Sequence, residues 1–140
     1  MKLIDKILGN IEVKKQLNNQ GKTKFSESVN HAIDGIAYTV EHERNFKIEL
    51  FFMISVLIAG IYFKVSKVEW AILLLTSASV LTLELVNTGI ERCVDLVTKE
   101  YHDLAKAAKD IAAGAVFIMS IFSVIIGIVI FLPKIIEVIR

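Results

Sequence analysis

Three long apolar runs dominate the chain, at about 46–63, 68–90 and 111–132. The first (FKIELFFMISVLIAGIYF) and the third (IAAGAVFIMSIFSVIIGIVIFL) approach or exceed the ~20 residues that cross a bilayer core. The second is free of charge only from Trp70 to Leu83. It reaches membrane length only with Glu84 and Asn87 inside the bilayer or at its interface. Backbone in lipid must satisfy its own hydrogen bonds, so each run is predicted to be helical. Ahead of them, Phe25, Val29, Ala32, Ile33, Ile36, Ala37 and Val40 recur every three or four residues. That period predicts an amphipathic helix over 24–43 lying along the interface. Residues 1–22 read as a more basic amphipathic segment, with a break at Asn18-Asn19-Gln20-Gly21. The expected fold is an all-α membrane protein of three transmembrane helices plus an N-terminal amphipathic interfacial helix, with 23–140 as the membrane domain.

The second run is interrupted by polar groups at helical spacing. Glu84, Asn87, Glu91 and Asp95 are three, four and four residues apart, which places them within an arc of roughly 80° on one side of a helix. A carboxylate at membrane depth costs on the order of 2.5–3.5 kcal/mol on insertion scales, so it marks a functional site by default.

Composition narrows the function classes. The 140 residues are 54% hydrophobic with a single Pro and a mean hydropathy of +0.59, too apolar and too poor in breakers for an ordinary soluble domain. A net charge of +1 supplies no field for nucleic acid. Cys93 has no intrachain disulfide partner and reads as a packing residue beside the stripe. The N-terminal pattern Leu3, Ile4, Ile7, Leu8, Ile11, with lysines between, is not that of a cleavable signal peptide. Gly21-Lys22-Thr23 invites a P-loop reading, but Gln16 stands where that motif needs Gly, and no strand precedes it. Eight Lys/Arg precede the first span, counting Lys47 at its start, and four lie between Glu91 and Asp110; two occupy the first turn and two the C-terminus. That bias predicts a cytoplasmic N-terminus and second loop, with the acidic stripe opening toward ATP.

The polar residues suggest a division of labour. If the second span packs against the interfacial helix, Glu43 and Glu91 can hold a Mg²⁺ ion, which takes one or two carboxylates plus phosphate oxygens and water. Glu84 lies about two turns deeper, where a desolvated carboxylate suits a general base acting on a hydroxyl. Asn87 could orient that hydroxyl. Glu100, His102, Lys109 and Asp110 crowd one membrane-proximal patch suited to a polyphosphate. Against these stand simpler readings. Asp95 could pair with Arg92, Lys99, Lys106 or Lys109, and Asp103 could be the N-cap of the third span. The stripe could also belong to a non-catalytic carrier or proton path, or the chain could be a small lipid-docking scaffold.

The series Glu84-Leu-Val-Asn87-Thr-Gly-Ile-Glu91-Arg-Cys-Val-Asp95, then Glu100-Tyr-His and Ala-Lys109-Asp110, closely resembles the signature of the prokaryotic diacylglycerol kinase family. Glu43-Arg-Asn-Phe-Lys matches the segment before that family's first span, and the resemblance covers about residues 23–140. The stretches around Asp95 and from Leu104 to Ala115 look more like the Gram-positive branch, whose members phosphorylate undecaprenol.

The resemblance implies homotrimers of three-span subunits with a surface helix, and active sites at the cytoplasmic interface between neighbours. ATP donates its γ-phosphoryl group to a lipid hydroxyl, with Mg²⁺ bridging. Undecaprenol is the expected acceptor and diacylglycerol the alternative. By matching position Glu84 would be the base with Asn87 near it, and Glu43 and Glu91 the metal ligands. Those two would also line the nucleotide with Glu100, Tyr101, His102, Lys109 and Asp110. Lys24 and His31 fall where some members carry Arg and Tyr beside the nucleotide. Glu84, Glu49 and Ala113 would meet the lipid acceptor. A monomer of three helices leaves little interior to shelter a carboxylate, which agrees with oligomerisation, and Ala112, Ala113, Gly114 and Ala115 permit close helix approach.

Overall fold

A computed structural model describes residues 25–140; the segment 1–22, its break and Lys24 lie outside the described residues. Four helices follow in order: α1 (Phe25–His42), α2 (Arg44–Tyr62), α3 (Lys67–Val97) and α4 (Asp103–Ile139). The chain divides into two compact units, Met1–Tyr38 and Thr39–Arg140. In the described part of the first, the apolar side chains Phe25, Ile33 and Ile36 are exposed. The second holds the three long helices, and each is long and apolar enough to cross a membrane.

At 1.5 Å per residue, α2, α3 and α4, of 19, 31 and 37 residues, are about 28, 46 and 55 Å long. Only α2 matches a hydrocarbon core of about 30 Å. The second and third expected spans therefore lie inside longer helices, while the first, 46–63, nearly coincides with α2. α3 continues through the acidic stripe to Val97, and α4 runs on past Pro133. Hydropathy marks where lipid ends. It does not mark where helix ends, because a helix already formed in lipid can extend beyond it one hydrogen bond at a time.

α3 packs against both α2 and α4. At the end remote from the acids, Val65, Leu73 and Ile130 form a buried cluster backed by Val56, Phe63, Trp70, Ile126 and Phe131. The α2–α3 turn is sharply specified. Lys64 adopts φ 50°, a left-handed conformation uncommon for a residue with a side chain. Ser66 caps α3 reciprocally: its backbone N–H donates to Glu69 Oε2 at 2.6 Å, and the Glu69 N–H donates to Ser66 Oγ at 3.3 Å. Glu69 also pairs with Lys134 at 3.2 Å, tying α3 to α4.

Gly60 is buried where the Trp70 indole crosses α2, and a Cβ there would stand 2.7 Å from Trp70 Cη2. Gly60→Ala must push the ring out of the cluster. The expected loss is about 1–3 kcal/mol, read as a lowered thermal midpoint in detergent micelles. Gly127→Ala is the control, since its Cβ meets nothing within 4 Å.

Candidate active site

The buried residues of α3 are Leu73, Thr76, Val80, Glu84, Asn87 and Thr88, and they fall on one side of the helix. The apolar seam that packs α3 into the bundle runs directly into the acidic stripe. Glu84 is 3% exposed, Thr88 4% and Asn87 7% within this one chain. Three helices were expected to leave little interior for a carboxylate, yet Glu84 is buried within one chain, because α3 packs against both α2 and α4 and the stripe lies on its packed face.

Three hydroxyls on the spans fold back onto their own helix. Ser55 donates to the Phe51 carbonyl at 2.9 Å, Thr76 to Ile72 at 2.7 Å and Ser79 to Leu75 at 2.8 Å. Thr88 does not follow them. Its Oγ1 is buried without a partner, as are Asn87 Oδ1 and Glu49 Oε2. A buried polar atom left unmet costs about 1–3 kcal/mol, so this end of the bundle presents groups ready for a polar ligand. Thr88 was not among the residues singled out by sequence. Its place one turn after Glu84 was visible, but a threonine in a span reads as back-bonded.

Glu43 is the single extended residue between α1 and α2, at φ −104° and ψ 118°, and it makes no side-chain capping bond to α2. Its carboxylate reaches instead to Arg92 on α3, which donates to Glu43 Oε1. Beside this pair, Asn87 Nδ2 donates to Glu91 Oε1 at 3.2 Å. Glu84 lies close enough to interact electrostatically with Glu91 and Glu43, and Glu49 with Glu84. Four carboxylates, from α2, α3 and the residue between α1 and α2, thus gather at one end of the bundle.

Among the described residues no cluster of three or more His, Cys, Asp or Glu side chains is arranged to hold a metal ion. The available donors are carboxylate oxygens and the unpartnered Asn87 amide oxygen. These hard donors fit Mg²⁺ in a site completed by phosphate oxygens and water. Glu43 and Glu91 would be the residues to hold it.

The residues expected to meet a polyphosphate lie at and just after the α3–α4 connection, where two lysines pair inside the chain. Lys109 donates to Asp95 at 2.5 Å, and Lys106 to Asp110 at 2.6 Å. Asp95 is therefore an ion-pair partner of α4. His102, not Asp103, is the N-cap of α4: its Nδ1 accepts from the Leu104 N–H at 3.2 Å. Asp103 takes a first-turn position, favourable toward the helix dipole. Glu100 and Tyr101 are exposed at the connection. His31 is exposed on α1 in the first unit, and Ala113 is exposed on α4 beside buried Ala112. Cys93, expected as a packing residue, is also exposed. It lines a pocket with Val97, His102 and Leu104, because it lies on the side of α3 away from the stripe.

A cleft of about 440 Å³ opens between α2, α3 and α4. Asn45 and Glu49 line it on the first two turns of α2, and Phe52, Val56, Leu81 and Val124 make its walls apolar. Gly127 also lines it. A narrow apolar slot headed by a carboxylate is the shape an amphiphile with one polar end requires.

A model of the family described as prokaryotic diacylglycerol kinase matches residues 30–131. The undecaprenol kinase of Bacillus subtilis (strain 168) is 48% identical over 111 residues, covering 79% of this chain and 90% of that protein. A diacylglycerol kinase of Synechocystis is 41% identical over 111 residues, 79% of this chain and 63% of its own length. The diacylglycerol kinase of Escherichia coli (strain K12) is 27% identical over 108 residues, 77% of this chain and 88% of its own.

Proposed function

The chain belongs to the prokaryotic diacylglycerol kinase family, and we propose that it is a membrane lipid kinase transferring the γ-phosphoryl group of ATP to undecaprenol. The observation that carries this reading is the gathering of Glu43, Glu49, Glu84 and Glu91 at one end of an apolar cleft. A lipid alcohol cannot leave the bilayer, so its hydroxyl must be met where the cleft turns polar. Undecaprenol is favoured over diacylglycerol by the 48% identity to a protein named for it, against 41% and 27% for the two diacylglycerol kinases above.

In this reading the cleft seats the first part of the lipid tail and presents the hydroxyl to Glu84. The Glu84 carboxylate accepts the hydroxyl proton as the oxygen attacks the γ-phosphorus. Asn87 holds Glu91 by its Nδ2 and directs its free Oδ1 toward the reacting groups. Glu43 and Glu91 hold Mg²⁺, which when bound neutralises charge on the transferring phosphates. Lys109, Asp110, Glu100, Tyr101 and His102 flank the nucleotide, with Lys109 exchanging Asp95 for phosphate. The basic-residue bias supports an orientation with this end, and the N-terminus, in the cytoplasm. The family supports a homotrimer, with α1 on the membrane surface and sites lined by neighbouring copies.

The test is transfer of labelled phosphate from ATP to lipid by the purified protein in mixed micelles. Undecaprenol should be phosphorylated and preferred to diacylglycerol; preference for diacylglycerol transfers the assignment to the alternative, and no transfer to either overturns the kinase reading. The cleft makes a further expectation. Gly127→Leu fills space that nothing occupies. It should raise KM for undecaprenol about tenfold, as the loss of room for one or two methylene groups implies. KM for ATP and the rate on a short-chain prenol should stay near wild type. Equal effects on long and short alcohols would remove the tail from this cleft.

A further inference from the structure

We propose that Arg92 is a positioning residue that holds the Glu43 carboxylate until a divalent cation takes it, and then grips the nucleotide's phosphates. This rests on the assignment of Glu43 to the cation made above.

The residue is placed for such an exchange. Glu43 sits at the only extended residue between two helices, where its side chain could have capped α2 and does not. It reaches across to a residue 49 positions away on α3. Arg92 follows Glu91 directly, so the same turn of α3 carries a carboxylate toward the cation and a guanidinium toward that cation's other ligand. Lys109 pairs with Asp95 and Lys106 with Asp110, so in this arrangement neither is the cation on Glu43. Glu91 itself is held by the neutral amide of Asn87. Arg92 is hydrogen-bonded to Glu43, one of the four gathered carboxylates.

A carboxylate oxygen bound to a guanidinium cannot also give its full charge to Mg²⁺. A cation that takes Oε1, the oxygen Arg92 holds, displaces the guanidinium. A displaced guanidinium needs an oxyanion, and a phosphate offers the planar two-oxygen edge that its fork matches. The exchange conserves charge. Carboxylate–guanidinium plus cation–phosphate becomes carboxylate–cation plus guanidinium–phosphate. Each arrival then favours the other: the bare cation binds weakly, and the cation with its nucleotide binds well. Such reciprocal coupling between two ligands commonly reaches about fivefold or more.

The test is Mn²⁺ binding, followed by electron paramagnetic resonance, to wild type, R92Q, E43Q and the double variant in detergent micelles. Each is titrated with and without a non-hydrolysable ATP analogue. Arg92 is half-exposed, so Gln there leaves the fold intact. Without nucleotide, R92Q should bind Mn²⁺ about three- to fivefold tighter than wild type, the worth of a partly exposed ion pair. In the E43Q background the same change should have no effect. The nucleotide analogue should tighten Mn²⁺ binding more in wild type than in R92Q. Equal or weaker Mn²⁺ affinity in R92Q overturns the exchange. So does tightening that persists in the E43Q background, because it would come from net charge alone. Wild type that phosphorylates lipid while the cycle shows no coupling removes only the exchange. Wild type that shows the coupling but transfers nothing to lipid removes only the kinase reading.

Discussion

Glu84→Gln should lower lipid phosphorylation by about two to four orders of magnitude, the usual worth of a positioned general base, while leaving the protein at least as stable as wild type. The two halves have one cause. Glu84 is 3% exposed and lies within reach of the charges of Glu43, Glu49 and Glu91. Glutamine keeps the shape and removes both the proton acceptor and one negative charge from a crowded set. The fold therefore loses no packing and is relieved of like-charge repulsion. The measurement pairs a phosphate-transfer assay with thermal unfolding of the same preparation. A variant that folds and retains wild-type turnover would sink the base assignment. A variant that loses activity together with stability would place Glu84 among structural groups.

The second large effect is expected at Glu91. Glu91→Gln keeps an oxygen to accept from Asn87 Nδ2, the contact made at 3.2 Å in the native protein. The helix and its neighbour should hold their geometry. What is lost is a full charge toward Mg²⁺. Removing even an outer-shell partner of a metal ligand costs about 10- to 100-fold in affinity, and a charged ligand should cost at least that. The Mg²⁺ concentration for half-maximal rate should rise by that factor, with part of kcat recovered at high Mg²⁺. An unchanged Mg²⁺ dependence would remove Glu91 from the metal. Asn87→Ala should move the same Mg²⁺ curve in the same direction by less, because it frees Glu91 but leaves its charge in place.

The all-helical fold and its three long apolar helices were legible in the hydropathy pattern, because membrane depth demands one kind of backbone. The common face of Glu84, Asn87, Glu91 and Asp95 was legible too, since helical spacing determines it. Spacing says nothing of what stands opposite a face. The Glu43–Arg92 pair joins residues 49 apart, and the Lys109–Asp95 pair depends on how α4 returns beside α3. Both are products of packing. His102 against Asp103 as N-cap differs by one residue, within the usual uncertainty of a helix boundary. Thr88 and Gly127 were hidden for a different reason. Each matters for what is missing around it, a partner for one and a neighbour for the other, and empty space leaves no mark on a sequence.

The turn between α2 and α3 has a consequence for how the chain enters a bilayer. α3 carries Glu84, Glu91, Arg92 and Asp95 toward its end, and each charge held at membrane depth adds to the cost of inserting it. α2 is richer in large apolar residues, and only four residues separate its end at Tyr62 from the start of α3 at Lys67. Within that turn Lys64 reverses the chain, Ser66 starts the next helix, and Gly60 lets Trp70 close against α2. The two helices are thereby built to insert together as a hairpin. Biogenesis then depends on the residues farthest from the chemistry. Gly60→Ala should reduce the yield of membrane-integrated protein before it touches the rate of any reaction.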